Sequence, residues 1–250
     1  MERMIYFWFK ISMLKKKQIT FIELLFYYLI VVGIGALLFW IIPWFALLLF
    51  ILVSGYHFGE QQWQNLDKST IFKLFEFTYG LFILLLLFIF HIEEVQQIIK
   101  TITSITISES YFKVGLLITA LLLLLLGFYF SQKIKSFKRK WFLETFYLLV
   151  FTIIFKVSSL IWGFAIYFIL WHSIPSIINQ ITYLNGKFNL INLGIYIKSA
   201  FIYWIVSLIG IATLYLLFKD VVIFNALFFS FLAAITFPHV LVLFIVFKRK

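Results

Sequence analysis

The chain has 250 residues, of which 64% are hydrophobic and only 12% are charged. Soluble domains carry about twice this charged fraction, so lipid rather than water must solvate most of the chain. The net charge of +11 does not indicate nucleic-acid binding, because the basic residues lie in short segments between apolar runs, and the absence of cysteine excludes disulfides and thiolate metal sites.

Apolar runs long enough to cross a bilayer recur along the chain. A helical span needs about 20 apolar residues, and residues 1–19 form a basic segment without the small-residue cleavage site of a signal peptide. We predict an all-α, polytopic transmembrane bundle in the cell membrane, with residues 1–250 forming a single domain. The predicted spans, eight in number, lie at about 20–40, 43–62, 71–91, 111–130, 141–156, 157–179, 198–218 and 221–247.

The basic residues predict the orientation of this bundle. With the N-terminus placed inside, 17 of the 21 lysines and arginines fall in inner segments, and four fall in outer ones, at Lys100, Lys113, Lys156 and Lys219. Short cytoplasmic loops carry an excess of Lys and Arg in membrane proteins. Both termini are therefore predicted to be cytoplasmic, provided that the spans meeting near Lys156 are separate helices.

Three of the four histidines share one depth. His57, His172 and His239 each lie about two thirds of the way from the outer to the inner end of a predicted span, whereas His91 lies at an outer end and is assigned to the interface. Ionisable groups inside a membrane are energetically costly and usually face the bundle interior or a wet cavity. Neutral imidazole is a common transition-metal ligand, so the three residues are candidate metal ligands.

Two of the three prolines adjoin these histidines. Pro175 follows His172 by three residues in "WHSIPS", and Pro238 directly precedes His239 in "FPH". A helix-interior proline frees a carbonyl and kinks the helix, which is tolerated where the backbone lines protein or a cavity. The sequence therefore predicts interrupted helices beside the candidate site.

The residues after His57 continue its helical face. Glu60 and Gln61 lie three and four positions further on. Glu60 is either a carboxylate ligand beside two histidines, a group that orients a ligating histidine, or a solvated residue at headgroup level. Gly55 and Gly59 permit close approach of another helix or of a bulky substrate.

Three short motifs, taken in order, carry a resemblance to a known family. "SGYHFG" at 54–59, "WHS" at 171–173 and "FPH" at 237–239 resemble the Brp/Blh (bacteriorhodopsin-related protein) family of membrane β-carotene dioxygenases. The resemblance implies Fe²⁺ as cofactor, with β-carotene and dioxygen as substrates and central 15,15' cleavage to two retinal molecules. It also implies a retinal-binding rhodopsin as a downstream partner.

The resemblance also implies roles for individual residues. His57 and His172 are expected iron ligands, and His239 is the third candidate. The residues expected to support the ligands or to contact substrate are Glu60, Gln61, Trp171, Ser176 and Phe237, with Phe58 and Trp63 as further flanking aromatics.

The chain departs from the family pattern at three places. The family has an earlier histidine in an N-terminal helix, which this chain lacks, so residues 1–19 are expected to be a truncated form of that segment. Ser176 stands where a second histidine often follows the WHS motif, and Gln62 stands where an aspartate is common.

Two other classes of function remain open from the residues alone. A transporter or channel would use buried histidines as a proton relay or substrate site, but the chain shows no paired repeat and few intramembrane carboxylates. A haem-binding subunit would place axial histidines on two helices and would show a Soret band, which a non-haem iron enzyme lacks.

Overall fold

The computed structural model describes residues 21–64, 66–67, 69–218 and 220–247, without the side chains of 21–25, 184, 203, 221, 234–235, 238–239 and 241–247. Every regular element in this part of the chain is helical, which confirms the all-α prediction. The α-helices are α1 (Phe21–Ile41), α2 (Pro43–Gln62), α3 (Thr70–Phe90), α4 (Ile92–Thr103), α5 (Glu109–Lys133), α6 (Lys135–Val157), α7 (Leu160–Ile166), α8 (Ile174–Asn185), α9 (Leu190–Leu217) and α10 (Val221–Phe247). A π-helix, Tyr167–Ser173, joins α7 to α8.

Several of these helices have the length and composition of membrane spans. Four meet both requirements among the described residues, namely Pro43–Gln62, Thr70–Phe90, Glu109–Lys133 and Leu160–Tyr183. A fifth is added if Leu190–Ile202 and Trp204–Leu217, which are bent by 42° relative to each other, form one span. The length and apolar composition of these helices are those of a membrane protein. The eight-span topology and the cytoplasmic termini stay predictions.

Most predicted boundaries agree with the observed ones to within a few residues. The uncertain join near Lys156 is a true break, because α6 ends at Val157 and α7 begins at Leu160. The predicted interruption beside His172 is the π-helix. The interruption predicted at Pro238 is wrong, since the backbone of α10 stays helical through that residue. Membrane helices can continue through a proline in this way.

The described chain divides into two compact units. One consists of Ile51–Lys100 and Ser104–Ser176, and we call it the histidine unit because it contains His57, His91 and His172. Within it, α3 packs against α5, α6 and α7, and α5 also packs against α6. In the other unit, α10 packs against α1 and α9.

Glycines bring α2 and α3 into unusually close contact in the histidine unit. A Cβ atom placed on Gly59 would lie 1.7 Å from the carbonyl oxygen of Glu76, and one on Gly80 would lie 1.9 Å from that of Gly55. No side chain fits at either position, so the two backbones touch directly. The predicted close approach at Gly55 and Gly59 is confirmed, and the neighbour is α3.

Aromatic rings fill the space beyond this glycine contact. Trp63 is fully buried and stacks on Phe137 with ring centroids 4.9 Å apart, and Phe75 lies edge-on to both rings. Phe72 and Phe130 meet edge to face at 4.9 Å. We refer to these five residues as the aromatic cluster, which ties α3, α5 and α6 to the end of α2.

Helix α4 is amphipathic and was not predicted as an element. Val95, Ile98 and Ile99 are buried, whereas Glu93 and Lys100 are exposed. This pattern is typical of a helix lying along a surface rather than across a bilayer. It was missed because a span search selects only long apolar runs.

Candidate metal centre

Two of the three predicted ligands come together in the histidine unit. His57 of α2 and His172 of the π-helix are 4% and 6% exposed, and their ring centroids lie 5.0 Å apart with an interplanar angle of 77°. The two residues are 115 positions apart in sequence, yet the fold brings both imidazoles into one buried space. The pair is close in space, and its shared depth in the membrane stays a prediction.

The arrangement of the two rings fits two positions of a metal centre. Imidazole nitrogens bind transition metals at about 2.1 Å, which places the ring centroids of two ligands on one ion about 5 Å apart. Ser54 Oγ and Gln61 Oε1, three residues before and four after His57, are buried without a hydrogen-bond partner among the described residues. Their offsets place both side chains on the same face of α2 as His57.

Among the described side chains, the histidine pair has no third carboxylate or imidazole in a metal-binding arrangement. In the described part of the chain, no group of three or more His, Asp, Glu or Cys side chains could hold a metal. Glu60 is therefore not grouped with the two histidines in the described structure, and its role stays a prediction. Its side chain is half-buried and hydrogen-bonds to Tyr56 instead.

Aromatic rings enclose the histidine pair. Phe58 lies 4.8 Å from the His172 ring, centroid to centroid, and Phe168 lies 5.1 Å from it. Tyr167 closes one side by contacting Phe58 at 5.5 Å. The imidazoles therefore have an apolar surround, which excludes bulk water.

The π-helix presents His172 to this space. Its last bond runs from the N–H of Ile174 to the carbonyl of Ile169, five residues back. Pro175 has no N–H and cannot make the α-helical bond to the carbonyl of Trp171. The proline predicted to interrupt the helix thus lies immediately beyond the segment in which the helix widens, as π-helical turns often do at functional sites.

A direct hydrogen bond links α2 to the π-helix. Gln61 Nε2 donates to the carbonyl oxygen of His172 at 2.7 Å. Because Gln61 follows His57 by four residues, both side chains leave α2 on the same face. Gln61, predicted as a supporting residue, therefore contacts the backbone of one candidate ligand while sharing a helix face with the other.

The adjacent Gln62 enters a second polar group that the sequence did not predict. Its Nε2 donates to Glu144 Oε1 at 2.5 Å, and the hydroxyl of Tyr79 donates to Glu144 Oε2 at 2.6 Å. Lys140 Nζ donates to the carbonyl oxygen of Gln62 and lies 5.1 Å from the centre of the Trp63 ring. Burial lowers the pKa of Lys140, and the nearby Glu144 opposes that shift.

The remaining predicted residues of this unit lie close to His172 in sequence but differ in surroundings. Trp171 packs against α6, with its ring 4.3 Å from Tyr147 and 5.0 Å from Phe151. Ser176 is half-buried in α8, four residues beyond His172. Trp63 belongs to the aromatic cluster rather than to the wall around the histidines.

The remaining predicted residues are Phe237 and His239 of the other unit and His91, which is predicted to lie at the membrane interface. Phe237 is half-buried in α10, and His239 is part of the same helix, but its side chain lies outside the described residues. His91 separates α3 from α4, as its predicted interface position requires. Burial lowers the pKa of His91, while Glu94 and a hydrogen bond to the backbone of Phe155 act in the opposite direction.

The comparisons with known proteins show the family of the chain. The family model described as Beta-carotene 15,15'-dioxygenase matches residues 9–246, nearly the whole chain. Searches of curated proteins and of solved structures found no match. The match extends over all three sequence motifs and both buried histidines, and the chain belongs to the β-carotene 15,15'-dioxygenase family.

Proposed function

We propose that this protein cleaves β-carotene oxidatively at its central 15,15' double bond in an iron-dependent reaction, giving two molecules of retinal. The observation that carries the proposal is the buried His57–His172 pair in a chain of this family. One dioxygen molecule supplies the two aldehyde oxygens, so the reaction balances without a further reductant.

His57 and His172 would hold the iron. The metal would supply dioxygen activation, which a site with two imidazoles and open positions permits. His239 stays a predicted third ligand.

The residues around the pair suit an apolar substrate. The rings of Phe58 and Phe168 offer flat surfaces on which a conjugated polyene could stack, and they keep water away from the imidazoles. Gln61 holds the backbone of His172 and so fixes the distance between the two rings. The protein's contribution is therefore orientation and exclusion of water.

The location of the substrate agrees with the location of the protein. β-Carotene dissolves in the hydrocarbon of the bilayer, where the apolar helices of this chain would meet it directly. We propose the cell membrane as the site of action and a retinal-binding rhodopsin as a consumer of the product.

The test is expression in a bacterial host that accumulates β-carotene. The wild-type chain, in iron-replete cells, is expected to bleach the cells and form retinal, which chromatography quantifies. His57→Ala and His172→Ala should each abolish retinal formation because each removes one ligand. His91→Ala is the matched control and should retain activity, since His91 lies at the interface.

Two results would contradict the proposal. One is an absence of retinal from a well-expressed, membrane-inserted wild-type protein. The other is retinal formation by the His57→Ala and His172→Ala variants at the wild-type level.

A further inference from the structure

We infer that Glu144 is a positioning residue that holds His172 opposite His57 by fixing the last turn of α2. The inference rests on the proposed function, because it assigns Glu144 a role in shaping the proposed metal centre. Glu144 touches neither histidine through the bonds described above. It acts through Gln62 and the adjacent Gln61.

The first step concerns the carboxylate itself. Glu144 is 3% exposed in α6, among helices whose outer faces are apolar. A carboxylate in such surroundings is energetically costly unless its oxygens accept hydrogen bonds. Both oxygens of Glu144 accept a hydrogen bond, one from Gln62 and the other from Tyr79. The buried carboxylate is therefore satisfied at both oxygens.

The second step concerns what the carboxylate holds. Gln62 is the last residue of α2, where helix ends commonly fray because their carbonyls lack intrahelical partners. Here the side chain of Gln62 is bound by α6 through Glu144, and its carbonyl accepts from Lys140 of the same helix. Tyr79 ties the same carboxylate to α3. The end of α2 is thus held by two neighbouring helices.

The third step links that helix end to the histidines. Gln61 precedes Gln62 and donates to the carbonyl of His172. A rotation of the last turn of α2 would therefore move the Gln61 amide and the π-helix with it. Because His57 lies one turn earlier on the same face, the same anchoring sets both members of the pair.

Swapping the side chains of Gln62 and Glu144 tests whether the contact between them positions His172. In Glu144→Gln, an amide replaces the carboxylate at nearly constant volume, so the two charge-assisted hydrogen bonds to Gln62 and Tyr79 become weaker neutral ones. Combining Gln62→Glu with Glu144→Gln restores a charge-assisted bond between the two positions, since the new amide can donate to the new carboxylate while accepting from Tyr79. Gln61→Leu removes the final link to His172.

Two measurements on the purified, full-length protein distinguish positioning from general stability. One is hydrogen–deuterium exchange of the π-helix amides in the metal-free protein. The other is Co²⁺ affinity, followed by the visible absorption bands of the bound ion. Thr119→Val is the matched control, because it deletes a buried hydroxyl that bonds only to carbonyls within α5.

We expect Glu144→Gln and Gln61→Leu to raise exchange in the π-helix and to weaken Co²⁺ binding by about tenfold or more, as the loss of groups that orient metal ligands typically does. The combined exchange should return Co²⁺ affinity to within about threefold of the wild type, by restoring the same outer contacts. Thr119→Val should change neither quantity.

The inference is overturned if π-helix exchange in Glu144→Gln matches that of Thr119→Val, or if the combined exchange binds Co²⁺ no better than Glu144→Gln. Failure of the proposed function gives a different pattern. If the wild-type protein forms no retinal but amide exchange in the π-helix of the three variants still follows the expected order, the proposed activity is refuted. The positioning role of Glu144 then remains intact.

Discussion

Gly59 and Gly80 determine how closely two helices of the histidine unit can approach. Each faces a backbone carbonyl across the interface, and a backbone atom cannot move aside as a flexible side chain can. His57 and Phe58 lie between Gly55 and Gly59 in sequence. Because neither glycine has a Cβ atom, α3 packs directly against the part of α2 that carries the candidate ligand.

Gly59→Ala is expected to destabilise the protein by at least about 1–3 kcal/mol, the usual range for overpacking. The physical reason is the 1.7 Å separation between the added Cβ and the Glu76 carbonyl oxygen. Thermal unfolding of the purified protein in detergent measures the effect. Gly33→Ala in α1 is the control, because nothing lies within 4 Å of a Cβ there, and alanine is the better helix former. Equal melting temperatures for the two variants would contradict this account.

The sequence predicts the ligand pair better than it predicts the residues that hold it. The depth of His57 and His172 follows from counting along apolar runs, and the offset of Gln61 follows from helical geometry. Nothing in the local sequence of Glu144 indicates Gln62 or Tyr79 as its partners. Those contacts depend on how three helices pack, and a single sequence does not specify that packing.

At the scale of elements, the π-helix is the feature that distinguishes this bundle from a set of regular spans. It widens the helix over the turn that carries His172 and ends just before Pro175. A regular α-helix through the same residues would present them at different angles. The shape of this one element is therefore part of the proposed metal centre.

Pro175→Ala is expected to lower retinal formation severalfold without lowering the melting temperature. Alanine supplies the missing N–H and favours continuation of the α-helix, so His172 would be presented at a different angle. Pro43→Ala is the control, since a proline in the first turn of a helix replaces no intrahelical bond. Wild-type retinal yield from Pro175→Ala, measured at equal expression, would show that the proline does not shape the site.

Element boundaries are largely predictable here because apolar runs end at charges and turn residues. The exceptions have a common cause. The amphipathic α4 is stabilised by burying Val95, Ile98 and Ile99, and by a bond from Gln96 Nε2 to the carbonyl of Ile107 at 2.7 Å. A search for long apolar runs detects neither these contacts nor the π-helical widening that precedes Pro175.

At the scale of the whole molecule, the outward-facing surface agrees with a lipid environment. Leu117, Leu121, Leu124 and Phe128 form an exposed stripe along α5, and each is more than half exposed. In water such a stripe would promote aggregation, whereas in a bilayer it contacts acyl chains. The basic residues Lys135, Lys138 and Arg139 at the start of α6 line an open, mostly apolar cavity with Phe142 and Leu143.

The charge distribution predicts which side of the membrane these basic residues occupy. Because the chain has no cysteine, single cysteines can report topology without a background signal. Ser136→Cys, at the start of α6, should react with an impermeant maleimide only after the cells are opened, and Thr106→Cys, in the loop before α5, should react in intact cells. Both positions are exposed. The reverse labelling pattern would overturn the predicted orientation.

The aromatic cluster is expected to contribute to the near-ultraviolet circular dichroism of the protein. Trp63 and Phe137 are stacked at an interplanar angle of 27°, and Trp141 lies nearly parallel to Phe137 at 14°. Rings held in a fixed, asymmetric arrangement produce strong near-ultraviolet circular dichroism, and that signal disappears when side-chain packing loosens while the helices persist. Assembly of α2, α3, α5 and α6 can therefore be followed optically in the unlabelled protein, separately from formation of the helices themselves.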